Sequence, residues 1–129
     1  MRLLLDTHIL IWAVAEPGRL NERARAAITS PEHQVLVSAA TIWEIAIKRA
    51  LGRLKFPLER LDAVMQRMGF EPLPIHPGHA VAAGGLPRHH DDPFDRMLVA
   101  QAQLDRLVLV SEDAAVARYD VSVLGGPSS

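Results

Sequence analysis

Short runs of uninterrupted apolar residues alternate along the chain with longer segments of helical period. Leu3–Leu5, Val35–Val37 and Leu107–Val110 are too short for helices and show no polar face, so they read as strands buried on both sides. Between them lie amphipathic stretches with recognisable ends. Ile9, Ile11, Trp12 and Val14 form one, stopped by Pro17 and Gly18. Asn21–Thr29 form a second, closed by Ser30 and Pro31. Ser38 is a good N-cap for a helix through Leu51, with Gly52 behind it, and Pro57–Met68 is followed by Gly69. Asp92 and Pro93 open a helix through Asp105. His79–Ala83 and Asp113–Arg118 are shorter helical stretches. Phe70–Ile75 holds Pro72 and Pro74 and is an edge strand at best, and Val121–Leu124 is a last strand.

Strands alternating with helices predict an α/β fold of three layers. A mostly parallel central sheet of four to five strands is flanked by helices. Residues 1–124 form one domain and residues 125–129 a tail.

The chain has 129 residues, of which 49% are hydrophobic, enough for a core and against intrinsic disorder. It contains no cysteine, so disulfides, thiolate zinc sites and a cysteine nucleophile are excluded. A net charge of −1 gives no global field for nucleic acid and leaves only local basic surface. No apolar run approaches the roughly 20 residues that span a membrane. Asp6 and His8 interrupt the first apolar run, and no small-residue cleavage site follows. The expectation is a cytoplasmic protein without a membrane partner.

Four acids recur at equivalent places. Asp6 follows the first strand and Asp113 the strand ending at Val110. Asp95 opens the helix that runs antiparallel to that strand, and Glu44 lies in the second turn of the helix after Val37. All four fall at the carboxyl ends of the strands, where open α/β sheets place their sites. Each also has a structural reading. Asp6 and Asp113 suit helix caps, Asp92 and Asp95 suit a helix start, and Thr41 with Glu44 fits a capping box or an ion pair to Lys48. Glu44 resists that reading, because its helix is apolar nearly all round and a buried carboxylate needs a partner. Converging carboxylates repel, and a hard divalent ion such as Mg²⁺ or Mn²⁺ removes the conflict. Such an ion polarises a phosphodiester and lowers the pKa of water.

The ordered motifs LLLDTH (residues 3–8), SAATIWEI (38–45), DPFDRMLVAQA (92–102) and LVSED (109–113) resemble those of PIN-domain proteins. They are most similar to the toxin ribonucleases of VapBC-type toxin–antitoxin pairs, in the subgroup with a DPFDR-like motif. The resemblance runs from about residue 2 to 124. It implies a parallel sheet flanked by helices, cleavage of RNA with Mg²⁺ or Mn²⁺, a homodimer and a cognate antitoxin. By position it carries the metal-binding and catalytic roles to Asp6, Glu44, Asp95 and Asp113. Asp95 is preferred to Asp92 because it leads the family's helix, which leaves Asp92 as the cap. Thr7 and Ser111 match the family's hydroxyl positions, with Ser111 where Thr is commoner.

Other residues take second place. Arg96 either orients Asp95, binds the scissile phosphate or forms a structural salt bridge. His8, His89 and His90 have the chemistry of acids and bases, but the family requires none. Glu112 is read as pointing to solvent. Residues 48–67 carry six basic against two acidic residues, the one basic stretch. Lys48, Arg49, Arg53 and Lys55 are its candidate contacts to RNA or to an acidic antitoxin segment, against the alternative of a solvated face. Trp12 and Trp43 read as core or dimer contacts.

Three rival functions remain. A phosphohydrolase of small phosphate esters wants a second Asp two residues after the first, where His8 stands. A catalytically inactive PIN-like binding or regulatory module would have lost one of the acids. A receiver-type signalling domain needs a late lysine, and none follows Lys55.

Overall fold

The computed structural model describes residues 1–125. Its strands are β1 (Arg2–Leu5), β2 (Gln34–Ser38), β3 (Phe70–Leu73), β4 (Val108–Val110) and β5 (Val123–Leu124). Its α-helices are α1 (Thr7–Ala15), α2 (Glu22–Thr29), α3 (Ala39–Ala50), α4 (Leu61–Met68), α5 (Pro77–Gly84) and α6 (Pro93–Asp105). The strands form one sheet in the order β3-β2-β1-β4-β5, and every pairing is parallel.

Alternation along each strand divides the core into two layers. Leu3, Leu5, Val35 and Val37 pack with Ile9, Leu10, Ile45 and Phe70 on the face covered by α1–α4. Leu4, Leu36 and Leu109 pack with Leu98, Val99, Val116 and Tyr119 on the face covered by α5 and α6. β1 is therefore apolar throughout its length because both faces are covered.

The chain runs from β1 outward to β3, then returns to place β4 on the other side of β1. This reversal opens a crevice at the carboxyl ends of β1 and β4, the position at which such sheets bind ligands. Among the described residues no helix is long and apolar enough to cross a membrane.

Several predicted elements are shorter or differently built. Pro57 lies outside any helix, and Leu58–Arg60 form a 3-10 turn before α4, which ends at the left-handed Gly69. The stretch 113–118 is a turn followed by a 3-10 segment, Val116–Arg118, because the Asp113 carboxylate takes the Ala115 N–H at the turn. Leu107 caps α6 by donating its N–H to the Ala102 carbonyl after the left-handed Arg106, so β4 starts at Val108. β3 stops before Pro74, and Pro72 is accommodated because β3 is an edge strand. The last strand shrinks to Val123–Leu124, and α5 begins at Pro77 rather than His79. Of the predicted tail, 126–129 lie outside the described residues.

α3 is not buried all round. Trp43, Ile47 and Leu51 form an exposed apolar stripe, with Trp43 62% exposed and its ring edge-on to Phe94. Trp43 is thus no core residue, and Glu44 is buried because it faces α1.

Leu4→Ala, which opens a cavity in the central strand, should lower the unfolding free energy by about 2–5 kcal/mol. Leu104→Ala, on the half-exposed surface of α6, should cost under about 1 kcal/mol. Denaturant titration of both variants checks this, and equal losses would mean that β1 is not the core of the sheet.

Candidate metal centre

β1 ends directly at Asp6, whose backbone N–H still donates to the Val110 carbonyl of β4. Its side chain turns the chain into α1, Oδ1 accepting the Ile9 N–H at 2.9 Å. On the far side of the same pairing, Asp113 follows β4. Its N–H donates to Ser111 Oγ at 3.0 Å and its Oδ1 accepts from Ala115 at 2.9 Å. The capping reading of Asp6 therefore holds, whereas Asp113 closes a turn and caps no helix, and each leaves its second oxygen uncommitted to these bonds. Asp92 is the N-cap of α6, taking the N–H groups of Phe94 and Asp95 on one oxygen. That leaves Asp95 free to project from the first turn.

Burial and mutual charge shape these carboxylates. Asp6 is 4% exposed, and burial pushes its carboxyl up from the usual range. Hydrogen bonds from Ser111 and the Ile9 N–H, and the charge of His8, pull it back, while Asp113 adds to the rise. Asp95 is pushed up to about 6, first by burial and then by the charge of Asp92, with Asp6 and Asp113 contributing; His90 opposes the shift. Asp6, Asp95 and Asp113 thus feel one another as like charges. Among the described residues no three of the acids bring ligand oxygens within 4.8 Å of one another.

Glu44, also 4% exposed, is attached through α1. Oε1 accepts from Thr7 Oγ1 at 2.6 Å, and Oε2 pairs with Lys48 Nζ at 2.7 Å. Thr7 therefore links the residue after Asp6 to the fourth acid. The capping-box reading of Thr41 and Glu44 fails, since Ser38 is the cap of α3 and accepts from Ala40.

Arg96 makes no salt bridge and does not touch Asp95 directly. Its guanidinium donates to the carbonyls of Ala83, Leu86, Pro87 and His90 and to the Tyr119 hydroxyl. It clamps the loop between α5 and α6 and has no carboxylate partner. The clamp holds His90, whose Nδ1 meets Tyr119 Oη at 2.8 Å and whose Nε2 faces Asp95 Oδ2 at 3.4 Å. His89 is exposed, edge-on to Tyr119.

Glu112, read from the sequence as pointing to solvent, instead turns one carboxylate oxygen inward. Its Oε2 is the one buried side-chain N or O atom among the described residues without a hydrogen-bond partner. It lines a cavity of about 330 Å³ with Asp6, His8, Trp12, Arg19 and Asp113. An unsatisfied acceptor beside the buried Asp6 and the exposed Asp113 is a donor set that fits a hard cation. Adjacency to Asp113 is the only signal the sequence offers, and it does not say which way Glu112 turns.

A second cavity of about 320 Å³ shares His8, Trp12 and Arg19 with the first and is lined by Lys48, Arg53 and Lys55. Arg19 lies over the Trp12 ring at 4.8 Å. The basic stretch is thus partly neutralised, with Lys48 on Glu44 and Arg49 paired to Glu59, whose carboxyl that hydrogen bond lowers. Lys48 and Arg49 are each ion-paired, and Lys48, Arg53 and Lys55 all line the cavity.

Residues 3–122 match the PIN domain family, and the chain belongs to that family. It is 31% identical over 113 residues to Ribonuclease VapC22 of Mycobacterium tuberculosis, the match covering 86% of each protein. Its fold is similar to a chain in the crystal structure of VapBC2 from Rickettsia felis bound to a DNA fragment from their promoter. There the TM-score is 0.71 at 15% identity, covering 95% of this chain and 97% of that one. A chain of FitAcB from Neisseria gonorrhoeae gives 0.67 at 24% identity, covering 94% and 95%.

The raised Asp95 pKa sets a sign for pH dependence. Its protonation favours the fold fully below its ordinary value of 3.8, and that contribution is lost as pH rises through about 6. In chelator at pH 7.5, Asp95→Asn should therefore melt about 3–6 °C above the wild type, a gap that closes below about pH 4. Thermal melts across that range check it; a lower melting point at pH 7.5 would mean Asp95 is structural.

Proposed function

We propose that the chain is a VapC-type toxin, an endoribonuclease that cleaves RNA phosphodiester bonds with water and needs a divalent metal. The observation that carries the reading is the convergence of Asp6, Asp95 and Asp113 at the switch point of the sheet, beside an unsatisfied Glu112 oxygen. The similarity to a protein named a ribonuclease supports RNA as the substrate, and the likeness to chains from VapBC structures supports a cognate antitoxin.

Asp6, Asp95, Asp113 and Glu44 would hold Mg²⁺, with Mn²⁺ as substitute, and oxygen donors of this kind suit hard cations. A bound ion of this kind supplies charge neutralisation, Lewis acidity toward phosphate and a more acidic water. Thr7 orients Glu44, Ser111 supports Asp6, and Asp92 frees Asp95 by capping α6 in its place. Lys48 pairs with Glu44 and balances its charge in the free protein. Arg53 and Lys55, in the cavity that adjoins the acidic one, would take RNA phosphates or an acidic antitoxin segment. The exposed stripe of Trp43 and Ile47 on α3 and Leu51 at its C-cap supports a homodimer. The working unit is a single PIN domain over residues 1–124, acting in the cytoplasm.

Purified protein should cleave single-stranded RNA with Mg²⁺ or Mn²⁺, leaving 5′-phosphate and 3′-hydroxyl ends. Asp6→Asn should slow it by about 100-fold or more, at least the loss seen on disturbing a metal's surroundings. Reversing Arg53 and Lys55 to Glu should weaken RNA binding and reduce its salt slope by about 0.7 for each phosphate no longer neutralised. In a bacterial host the wild type should arrest growth, and Asp6→Asn should not. Cleavage that survives EDTA, or yields cyclic phosphate ends, contradicts the mechanism.

A further inference from the structure

A second group of ligand-type side chains lies far from the acidic crevice. β3 ends at Leu73, and Pro74 and Pro77 flank the short passage that leads into α5. Their rings fix φ and so stiffen the backbone on both sides of His76, the N-cap of α5. His79 follows three residues later, one helical turn on. α5 packs along α6, which brings His79 against Asp105, the last residue of α6. Asp105 is itself anchored, its carbonyl accepting from the Arg2 guanidinium at 2.9 Å. Asp105 lies ten residues beyond Asp95, so about 15 Å of helix separates this cluster from the acidic crevice.

His79 is completely buried. Its Nδ1 accepts the His76 backbone N–H at 3.2 Å, so that nitrogen carries no proton. The proton of the neutral ring is on Nε2, which meets Asp105 Oδ2 at 3.1 Å. A structural His–Asp pair is complete at this point. The exposed His76 ring is nevertheless stacked on the His79 ring, with centroids 3.5 Å apart and planes 24° from parallel. One ligand atom from each of His76, His79 and Asp105 lies within 4.8 Å of the other two, the only such set among the described residues. To place both imidazoles on one ion at about 2.0–2.1 Å, with a carboxylate oxygen at similar range, the exposed His76 ring must turn out of the stack. A ligating lone pair lies in the ring plane, and stacked rings aim theirs side by side.

We infer that His76, His79 and Asp105 form a second cation site, for a borderline transition metal such as Zn²⁺ and distinct from the oxygen-only crevice. Two imidazoles and one carboxylate select Zn²⁺ or a neighbouring first-row ion over Mg²⁺, which prefers oxygen. Binding replaces the His79 Nε2 proton, which leaves to solvent, and Asp105 changes from hydrogen-bond acceptor to ligand. His79 Nδ1 keeps its backbone hydrogen bond, which fixes the ring orientation as ligating histidines require. The exposed His76 side leaves a position for water. The ion would clip the first turn of α5 to the last turn of α6, adding stability to the helical layer without entering the reaction.

The test uses the full chain, stripped with chelator and dialysed, and ZnCl₂ as the only added ligand. Calorimetric titration should give tight binding of one Zn²⁺, a rise of several degrees in melting temperature, and loss of the His79 Nε2–H signal in ring-nitrogen NMR. His76→Ala, at an exposed position, should weaken that binding by about tenfold or more, and Asp105→Asn should do likewise while still accepting a hydrogen bond from His79. Asp95→Asn, in the other site, should leave it unchanged. The inference is overturned if Zn²⁺ fails to bind, if His76→Ala and Asp105→Asn bind it as the wild type does, or if Asp95→Asn abolishes the stabilisation.

Discussion

A carboxylate at the end of a strand covered on both faces is the constraint around which this molecule is arranged. Leu3, Leu4 and Leu5 are fully buried, so β1 delivers Asp6 into the interior before the chain can turn. There the side chain must cap α1, and burial raises its pKa. Burying a charge without a partner is costly, and the neighbours of Asp6 answer that cost only in part. Ser111 and the Ile9 N–H stabilise the charged form, while Asp113 and Asp95 add like charge from the adjoining strand end and helix start. The residual conflict is one that a bound cation resolves, which is why the site and the fold cannot be separated.

The surroundings keep that conflict from relaxing. Arg96 ties the α5–α6 loop through four carbonyls and the Tyr119 hydroxyl, and so holds His90 beside Asp95. Asp92 occupies the cap of α6, which denies Asp95 the backbone partners that would neutralise its role. Thr7 and Lys48 fix both oxygens of Glu44. Preorganisation of this kind stores electrostatic strain in the free protein and lowers the reorganisation needed when a cation binds.

The sheet and its acids were legible in the sequence because their signals are local. A both-sides-buried strand shows itself as Leu3–Leu5, and Asp92 with Pro93 marks a helix start from composition alone. The parallel fold followed from strands alternating with helices, and the family from the order of the motifs. What could not be read depends on contacts distant in sequence. The Arg96 clamp reaches Ala83, Leu86 and Tyr119, and nothing in the DPFDR motif distinguishes such a clamp from a phosphate contact. The inward turn of Glu112 and the pairing of Arg49 with Glu59 are set by tertiary packing. The apolar count of α3 misled in the opposite direction, since one apolar face points to solvent at Trp43 and Leu51.

The central claim is that the strand-end aspartates form a cation site. Anomalous diffraction from crystals soaked in Mn²⁺ tests it most directly. An anomalous peak should lie in the crevice, bounded by oxygens of Asp6, Asp95 and Asp113. A map with no peak there, or with manganese bound only by other residues, would contradict the account.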